Sequence, residues 1–153
     1  MLQWKLDKGS ILLPSVVHLG VAVKNAEKST RFISSIWDIG TPDVIDYEAR
    51  SGELVVGKPF KVRLVFIRLG THSIELLQPL DQQSIWADFI RDKGEGIHHI
   101  AYGVSNYDEI VTKLQKQGQT LLLAAVFEGC RWCYFDTSPG GMVIEIREEC
   151  RRL

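Results

Sequence analysis

Two stretches of the chain alternate bulky with small or polar residues in the same way. They are Val17-His18-Leu19-Gly20-Val21-Ala22-Val23 and His98-His99-Ile100-Ala101-Tyr102-Gly103-Val104. Period-two alternation predicts strands. Each strand runs into a helix-start residue, Asn25 in the first copy and Asn106, preceded by Ser105, in the second, whose side chains suit N-caps. The helices predicted from there run from Ala26 to Trp37, with Phe32, Ile33, Ile36 and Trp37 on one stripe, and from Tyr107 to Gln117, with Ile110, Val111 and Leu114. His18 and His99 are 81 residues apart, and so are Asn25 and Asn106. The register therefore holds across strand and helix start, which marks an internal repeat.

A second pair of strands closes each copy. Ser73-Ile74-Glu75-Leu76-Leu77 matches Val143-Ile144-Glu145-Ile146-Arg147, with the two carboxylates 70 residues apart. The first copy thus carries extra residues, placed in the glycine- and proline-containing stretch 51–59. Room remains in each copy for two more strands: Val44 to Arg50 and Val62 to Leu69, then Gln119 to Ala125 and Arg131 to Asp136. The predicted fold is α+β: one domain over 1–153, made of a βαβββ module at 16–79, a linker at 80–96 that is helical from Ser84 to Lys93, and a second βαβββ module at 97–148. One module alone would leave a sheet face uncovered, so the pair builds the core together.

Composition narrows the function. The 153 residues are 45% hydrophobic and 24% charged, with a formal net charge of -1, so nothing attracts the chain to nucleic acid or to an anionic membrane surface. No apolar run reaches the roughly 20 residues that span a bilayer. Met1 to Ser10 holds Trp4 and Asp7 where a secretory signal needs an apolar stretch, so a cytoplasmic address is expected. Cys130, Cys133 and Cys150 are too few, and odd in number, for a disulfide framework. Cys130 and Cys133 face opposite ways on a strand, and no second C-x-x-C completes a zinc site. They are expected to be buried structural thiols.

The repeat also gathers chemistry. His18, Gly20 and Ala22 share one strand face, and His99, Ala101 and Gly103 share another, each with space beside the histidine. His98 falls on the opposite face, and it and His72 have no counterparts in the other copy, where Val17 and Met142 stand. They are read as surface groups or as supports around the site. A carboxylate flanked by Ile and Leu in a strand is costly unless exposed or partnered. Any one of these residues alone has an ordinary structural explanation. Together, two histidines and two glutamates at matched places predict a single divalent metal held by His18, Glu75, His99 and Glu145. Nitrogen and oxygen ligands without thiolate suit Co, Ni, Zn, Mn or Fe.

These residues resemble the vicinal-oxygen-chelate (glyoxalase/bleomycin-resistance) superfamily. The resemblance is carried by His18-Leu-Gly-Val-Ala-Val, Ile74-Glu-Leu-Leu-Gln-Pro79, Gly94-Glu-Gly-Ile-His-His-Ile-Ala101 and Gly140-Gly-Met-Val-Ile-Glu145. Within it, the second and third phrases look most like methylmalonyl-CoA epimerase. The resemblance implies a curled eight-stranded sheet with a metal-binding cup, a homodimer, and the same four ligands. It also implies a small-molecule substrate that chelates the metal through two oxygens, so that the ion stabilises the enolate left when an α-proton departs. Glu145 is the expected proton-transfer residue, doubling as a displaceable ligand. Some epimerases have a carboxylate base on the third strand of the first module, but Lys61-Val62-Arg63-Leu64-Val65-Phe66 has none. Many also have a His-Pro phrase before the last strand, where this chain reads Phe135-Asp136-Thr137-Ser138-Pro139. Glyoxalase I-type lactoylglutathione lyase chemistry, oxygen-dependent ring cleavage and non-catalytic drug sequestration remain alternatives.

Overall fold

The computed structural model describes residues 14–137 and 141–150. The opening segment read for a secretory signal, and Ser138 to Gly140 of the phrases before the last strand, lie outside them. Twelve elements follow one another: β1 (Ser15–Ala22), α1 (Ala26–Ser34), β2 (Asp43–Ala49), β3 (Leu54–Val56), β4 (Phe60–Leu69), β5 (His72–Pro79), α2 (Ile85–Lys93), β6 (Gly96–Val104), α3 (Tyr107–Lys116), β7 (Thr120–Phe127), β8 (Cys130–Asp136) and β9 (Val143–Glu148). Among the described residues no helix is long and apolar enough to cross a membrane.

The strands form one mixed sheet in the order β2-β4-β5-β1-β6-β9-β8-β7-β3. It curls until it is nearly closed. At its centre β1 and β6 run antiparallel, and each is flanked by a parallel partner, β5 beside β1 and β9 beside β6. The two histidine strands are therefore neighbours, which is what brings the repeat's halves to one place. Among the described residues nine strands form instead of the expected eight. The ninth, β3, comes from the extra stretch of the first copy and pairs with β7 of the second, Leu54 opposite Ala125 and Val56 opposite Ala124.

Local chemistry explains most element ends. The Asn25 side chain accepts a 2.8 Å hydrogen bond from the Lys28 amide at the start of α1, and the Ser84 hydroxyl accepts one from Ala87 at the start of α2. Asn106 behaves differently: its amide donates to Glu109 rather than capping the α3 backbone. Helix α1 stops at Ser34, short of the expected Trp37. Of its predicted apolar stripe only Ile33 packs on the sheet, whereas Phe32, Ile36 and Trp37 are exposed. Phe32 lies within the helix and still faces outward, so the stripe is split between the sheet side and the exposed side.

Three apolar clusters result. One lies outside the sheet under α1, joining Ala26 and Ile33 to Val65, Ile67 and Leu76. A second lies under α3, joining Tyr107 and Ile110 to Cys133, Phe135 and Ile146. The third fills one end of the curled interior, where Trp86 from α2 meets Phe60 and Tyr134 edge-on. The cysteine expectation needs correction. Cys130 is joined to Cys150 in a disulfide, and only Cys133 is a buried free thiol. Antiparallel β8 and β9 set Trp132 opposite Arg147, so the tail just beyond β9 returns past Cys130. Sequence spacing alone does not reveal that proximity.

Candidate metal centre

The curled sheet encloses a cavity of about 1430 Å³, and His18, Glu75 and Glu145 are among the residues that line it. Strand register builds the floor. Gly20 of β1 sits between His99 of β6 and Glu75 of β5. Ala101 of β6 sits between His18 of β1 and Glu145 of β9. Each small residue thus separates a histidine from a glutamate, and the two arrangements are copies of one another. All four functional side chains are at most 4% exposed.

Both histidines are re-aimed by bulges. The β1–β6 register slips between Val16 and His18 and again between Gly20 and Val21, where His99 and Ile97 are the β6 partners. The residue left over is Val17 in one strand and His98 in the other, so each bulge immediately precedes a cluster histidine. Bulges are found where a side chain has to be redirected at a site. This corrects the alternation argument for His98. Instead of facing away it is buried at 6% exposure, packs edge-on against Phe89 and near Trp86 and Tyr134, and touches His99. His72 is an exposed residue at the start of β5.

The ligand atoms converge. His18 Nε2 lies 3.2 Å from His99 Nε2 and 3.0 Å from Glu145 Oε2. Glu75 Oε2 is 3.2 Å from His18 Nε2 and 3.5 Å from His99 Nε2, and Glu145 Oε2 is 3.0 Å from His99 Nε2. One ligand atom from each of the four lies within 4.8 Å of all the others, so the group could hold a metal ion.

A proton-bridged ion-pair cluster is the rival arrangement. Burial works against charge on His18, but Glu75 and Glu145 more than offset it and lift its pKa to about 10. Burial raises the Glu75 carboxyl, and His18 outweighs that and lowers it to about 2. Two details disfavour protons alone. Two Nε2 atoms 3.2 Å apart cannot both carry a hydrogen aimed at the other. Glu75 Oε2, though close to both rings, is buried with no hydrogen bond of acceptable geometry, and such orphans are rare and costly. A shared cation resolves both points. With metal–ligand bonds of about 2.1 Å, neighbouring ligand atoms stand about 3.0 Å apart in an octahedron and about 3.4 Å apart in a tetrahedron, and the histidine–histidine and histidine–glutamate spacings of 3.0 to 3.5 Å are close to those values.

His98 supports the arrangement from behind. Its Nδ1 is 3.0 Å from His99 Nδ1. Burial and then His99 push its pKa down to about 3, which keeps the ring neutral and able to accept. With His99 Nε2 turned to the cluster as a metal ligand, its Nδ1 would carry the proton and donate to His98, fixing tautomer and ring angle as supporting groups do around metals. Replacing His98 with phenylalanine, which keeps the aromatic packing but removes the acceptor, is expected to weaken divalent-metal affinity roughly 10- to 100-fold. Competition titration against a chromogenic chelator measures this. Affinity equal to wild type would remove His98 from the site.

Sequence reading missed three residues here. Tyr134 lies opposite Glu145 on β8, with its ring 4.7 Å from that of His99. Trp86 closes the inner end, packed edge-on against Tyr134. Arg147, two residues beyond Glu145 on the same strand face, brings its Nε to 3.7 Å from Glu145 Oε1. Alternation along β8 and β9 was the signal available for Tyr134 and Arg147.

A curled mixed sheet with paired His and Glu residues on its inner face defines a class. The chain belongs to the glyoxalase/bleomycin resistance protein/dioxygenase superfamily, whose family model matches residues 17–134. It is 34% identical over 101 residues to the mitochondrial methylmalonyl-CoA epimerase of Homo sapiens, a match covering 65% of this chain and 52% of that protein. The chain spans about half the length of the human and mouse epimerases it matches. Among solved structures, a hypothetical protein from Bacillus halodurans superposes with a TM-score of 0.69 at 26% identity, covering 91% of this chain and 96% of that one. A Streptomyces coelicolor methylmalonyl-CoA epimerase in complex with 2-nitronate-propionyl-CoA superposes with a TM-score of 0.67 at 18% identity, covering 92% and 100%. At that identity the likeness is one of fold.

Proposed function

We propose that the chain is a divalent-metal-dependent enzyme that moves an α-proton of a 2-substituted acyl thioester, and that it epimerises a compound such as methylmalonyl-CoA. The observation that carries this reading is the buried quartet His18, Glu75, His99 and Glu145, of which His18, Glu75 and Glu145 line a cavity large enough for a thioester. The human relative bears an epimerase name, which supports the substrate class. A divalent ion held by the quartet supplies a Lewis acid for the negative charge that develops as the proton leaves. Glu145 accepts that proton, since its Oε2 lies at the centre of the cluster and its Oε1 faces the cavity beside Arg147. Tyr134 and Trp86 line the same cavity and keep water from its inner end.

No acid stands on the cavity face of β4, which presents Phe60, Val62, Leu64, Phe66 and Arg68. Other acids line the cavity, namely Asp43, Glu128, Glu148 and Glu149. Proton transfer is assigned to the quartet's Glu145 because it alone among the candidates has one carboxylate oxygen in contact with both cluster histidines and the other beside Arg147. The metal-loaded protein is expected to incorporate solvent deuterium at the α-carbon of methylmalonyl-CoA, followed by NMR, without oxygen or a redox cofactor. A panel of 2-substituted acyl thioesters and a glutathione thiohemiacetal completes the test. Exchange confined to the thiohemiacetal would replace this reading with a glyoxalase-type one, and exchange with none of them would overturn it.

A further inference from the structure

One seam of the cavity wall is closed covalently. Cys130 opens β8, Cys150 stands two residues beyond β9, and a disulfide joins them across a sequence separation of 20. The loop so closed contains both strands, and with them Tyr134 and the cluster carboxylate Glu145. Cys130, Arg131, Glu148, Glu149 and Cys150 all line the cavity. The segment just beyond β9 is therefore part of the wall around the candidate metal centre.

Among the described residues little else ties that segment down. The Glu149 amide donates to the Val104 carbonyl at 2.8 Å. Arg131 donates to the Glu148 carboxylate through Nε at 3.0 Å and Nη2 at 2.7 Å. One backbone hydrogen bond and one partly exposed ion pair are each weak. The Glu149 side chain meanwhile fills space in the wall. Its Cγ and Oε1 stand 3.6 Å from where a Gly103 Cβ would be, and Gly103 itself lines the cavity. Cys150 is exposed and Cys130 half-buried, so the bond is reached from solvent. Accessible disulfides are the ones that exchange readily with external thiols.

We propose that the Cys130–Cys150 disulfide is a redox latch on the cavity. Oxidised, it holds Glu149 and Cys150 in the wall; reduced, it releases them and opens the way to the quartet. The reductant is a dithiol. One of its sulfurs attacks the exposed Cys150 Sγ, and the Cys130 sulfur leaves as a thiolate. The second thiol then displaces Cys150 from the mixed disulfide. The dithiol ends as a disulfide, its two electrons and two protons having passed to the protein's pair of thiols. A disulfide of the same class runs the exchange backward. The latch rests on the quartet being a metal site reached from this cavity, and not on the α-proton chemistry.

Oxidised full-length protein is compared with protein reduced by dithiothreitol and freed of it anaerobically. The Glu149 amide is expected to lose roughly 10- to 100-fold of its hydrogen-exchange protection on reduction, as loss of a loop-closing crosslink implies. Uptake and release of manganese(II), a metal with little affinity for the freed thiols, should both quicken by about 10-fold, with Kd unchanged within about 2-fold. A gate alters both rates alike, whereas a loosened β9 would weaken affinity. Cys150→Ser and Cys130→Ser should each match the reduced protein in either condition, and Glu149→Ala should quicken both rates in oxidised protein. Equal rates in the two redox states, unchanged protection of Glu149, or weaker affinity without faster uptake would each overturn the latch. Failure to bind manganese would sink the metal reading and the latch together. A protein that is gated by its redox state but exchanges no α-proton would sink the epimerase reading and leave the latch standing.

Discussion

Replacing Gly20 with alanine is expected to abolish divalent-metal binding at the quartet while leaving the sheet folded. A Cβ at Gly20 would lie 1.9 Å from Cε1 and 2.3 Å from Nδ1 of the His99 ring. No real contact is that short, so the ring has to leave, and the barrel-like sheet gives it no equivalent place to go. Metal affinity should fall by about 100-fold or more, exceeding the effect of losing a supporting hydrogen bond. Overpacking adds a stability cost of about 1–3 kcal/mol. The counterpart position supplies the control. Ala101 already carries a Cβ between His18 and Glu145, so Ala101→Gly costs only about 1 kcal/mol of strand stability and should leave metal content unchanged. Elemental analysis after dialysis, paired with thermal melts, distinguishes the two variants. A Gly20→Ala protein that keeps one ion per chain would show that His99 is not a ligand.

Removing the metal should lower the melting temperature by about 5–10 °C, through loss of ligand-linked stability of about 2.7 kcal/mol at a hundredfold excess over Kd. The physical source is the burial of four polar groups with few other partners. Without a cation, Glu75 Oε2 has no hydrogen bond, and the two facing imidazole nitrogens share at most one proton. Chelation of wild-type protein and re-addition of metal, followed by calorimetry, makes the measurement. In His18→Ala, Glu75→Ala, His99→Ala or Glu145→Ala the melting temperature should no longer respond to chelator. A full response in all four would place the bound metal elsewhere.

Much of the site was legible because it is a repeat. Period-two alternation located β1 and β6, the 81-residue spacing aligned His18 with His99, and the embedded carboxylates Glu75 and Glu145 completed the set. Alternation fails wherever one residue is inserted into a ladder, and that is why it puts His98 on the wrong face. A bulge is a property of two strands in register, and neither sequence carries a mark of it. The same holds for β3: three residues, Leu54 to Val56, become a strand only because β7 offers an edge. The stripe on α1 was real as a pattern, yet a helix ending at Ser34 buries only part of it. Arg147 is illegible in the sequence for a different reason. A charged residue near a strand end is ordinarily solvent-facing, and the curl of the sheet sets this one, still 38% exposed, at the cavity wall.

Strand β3 also bears on how the chain acquires its shape. Its hydrogen bonds reach β7, and the Val126 amide donates to the Glu53 carbonyl at 2.9 Å, so a segment of the first copy is completed by residues made much later. The β1–β6 pairing has the same character. Such distant pairings require large loops to close before any contact rewards them, which slows folding. During synthesis the first copy would wait with the β1 edge bare and β3 unpaired, both of them templates for the wrong neighbour. Stopping the chain after β5 would make that waiting state permanent, leaving a fragment that aggregates where the whole chain folds.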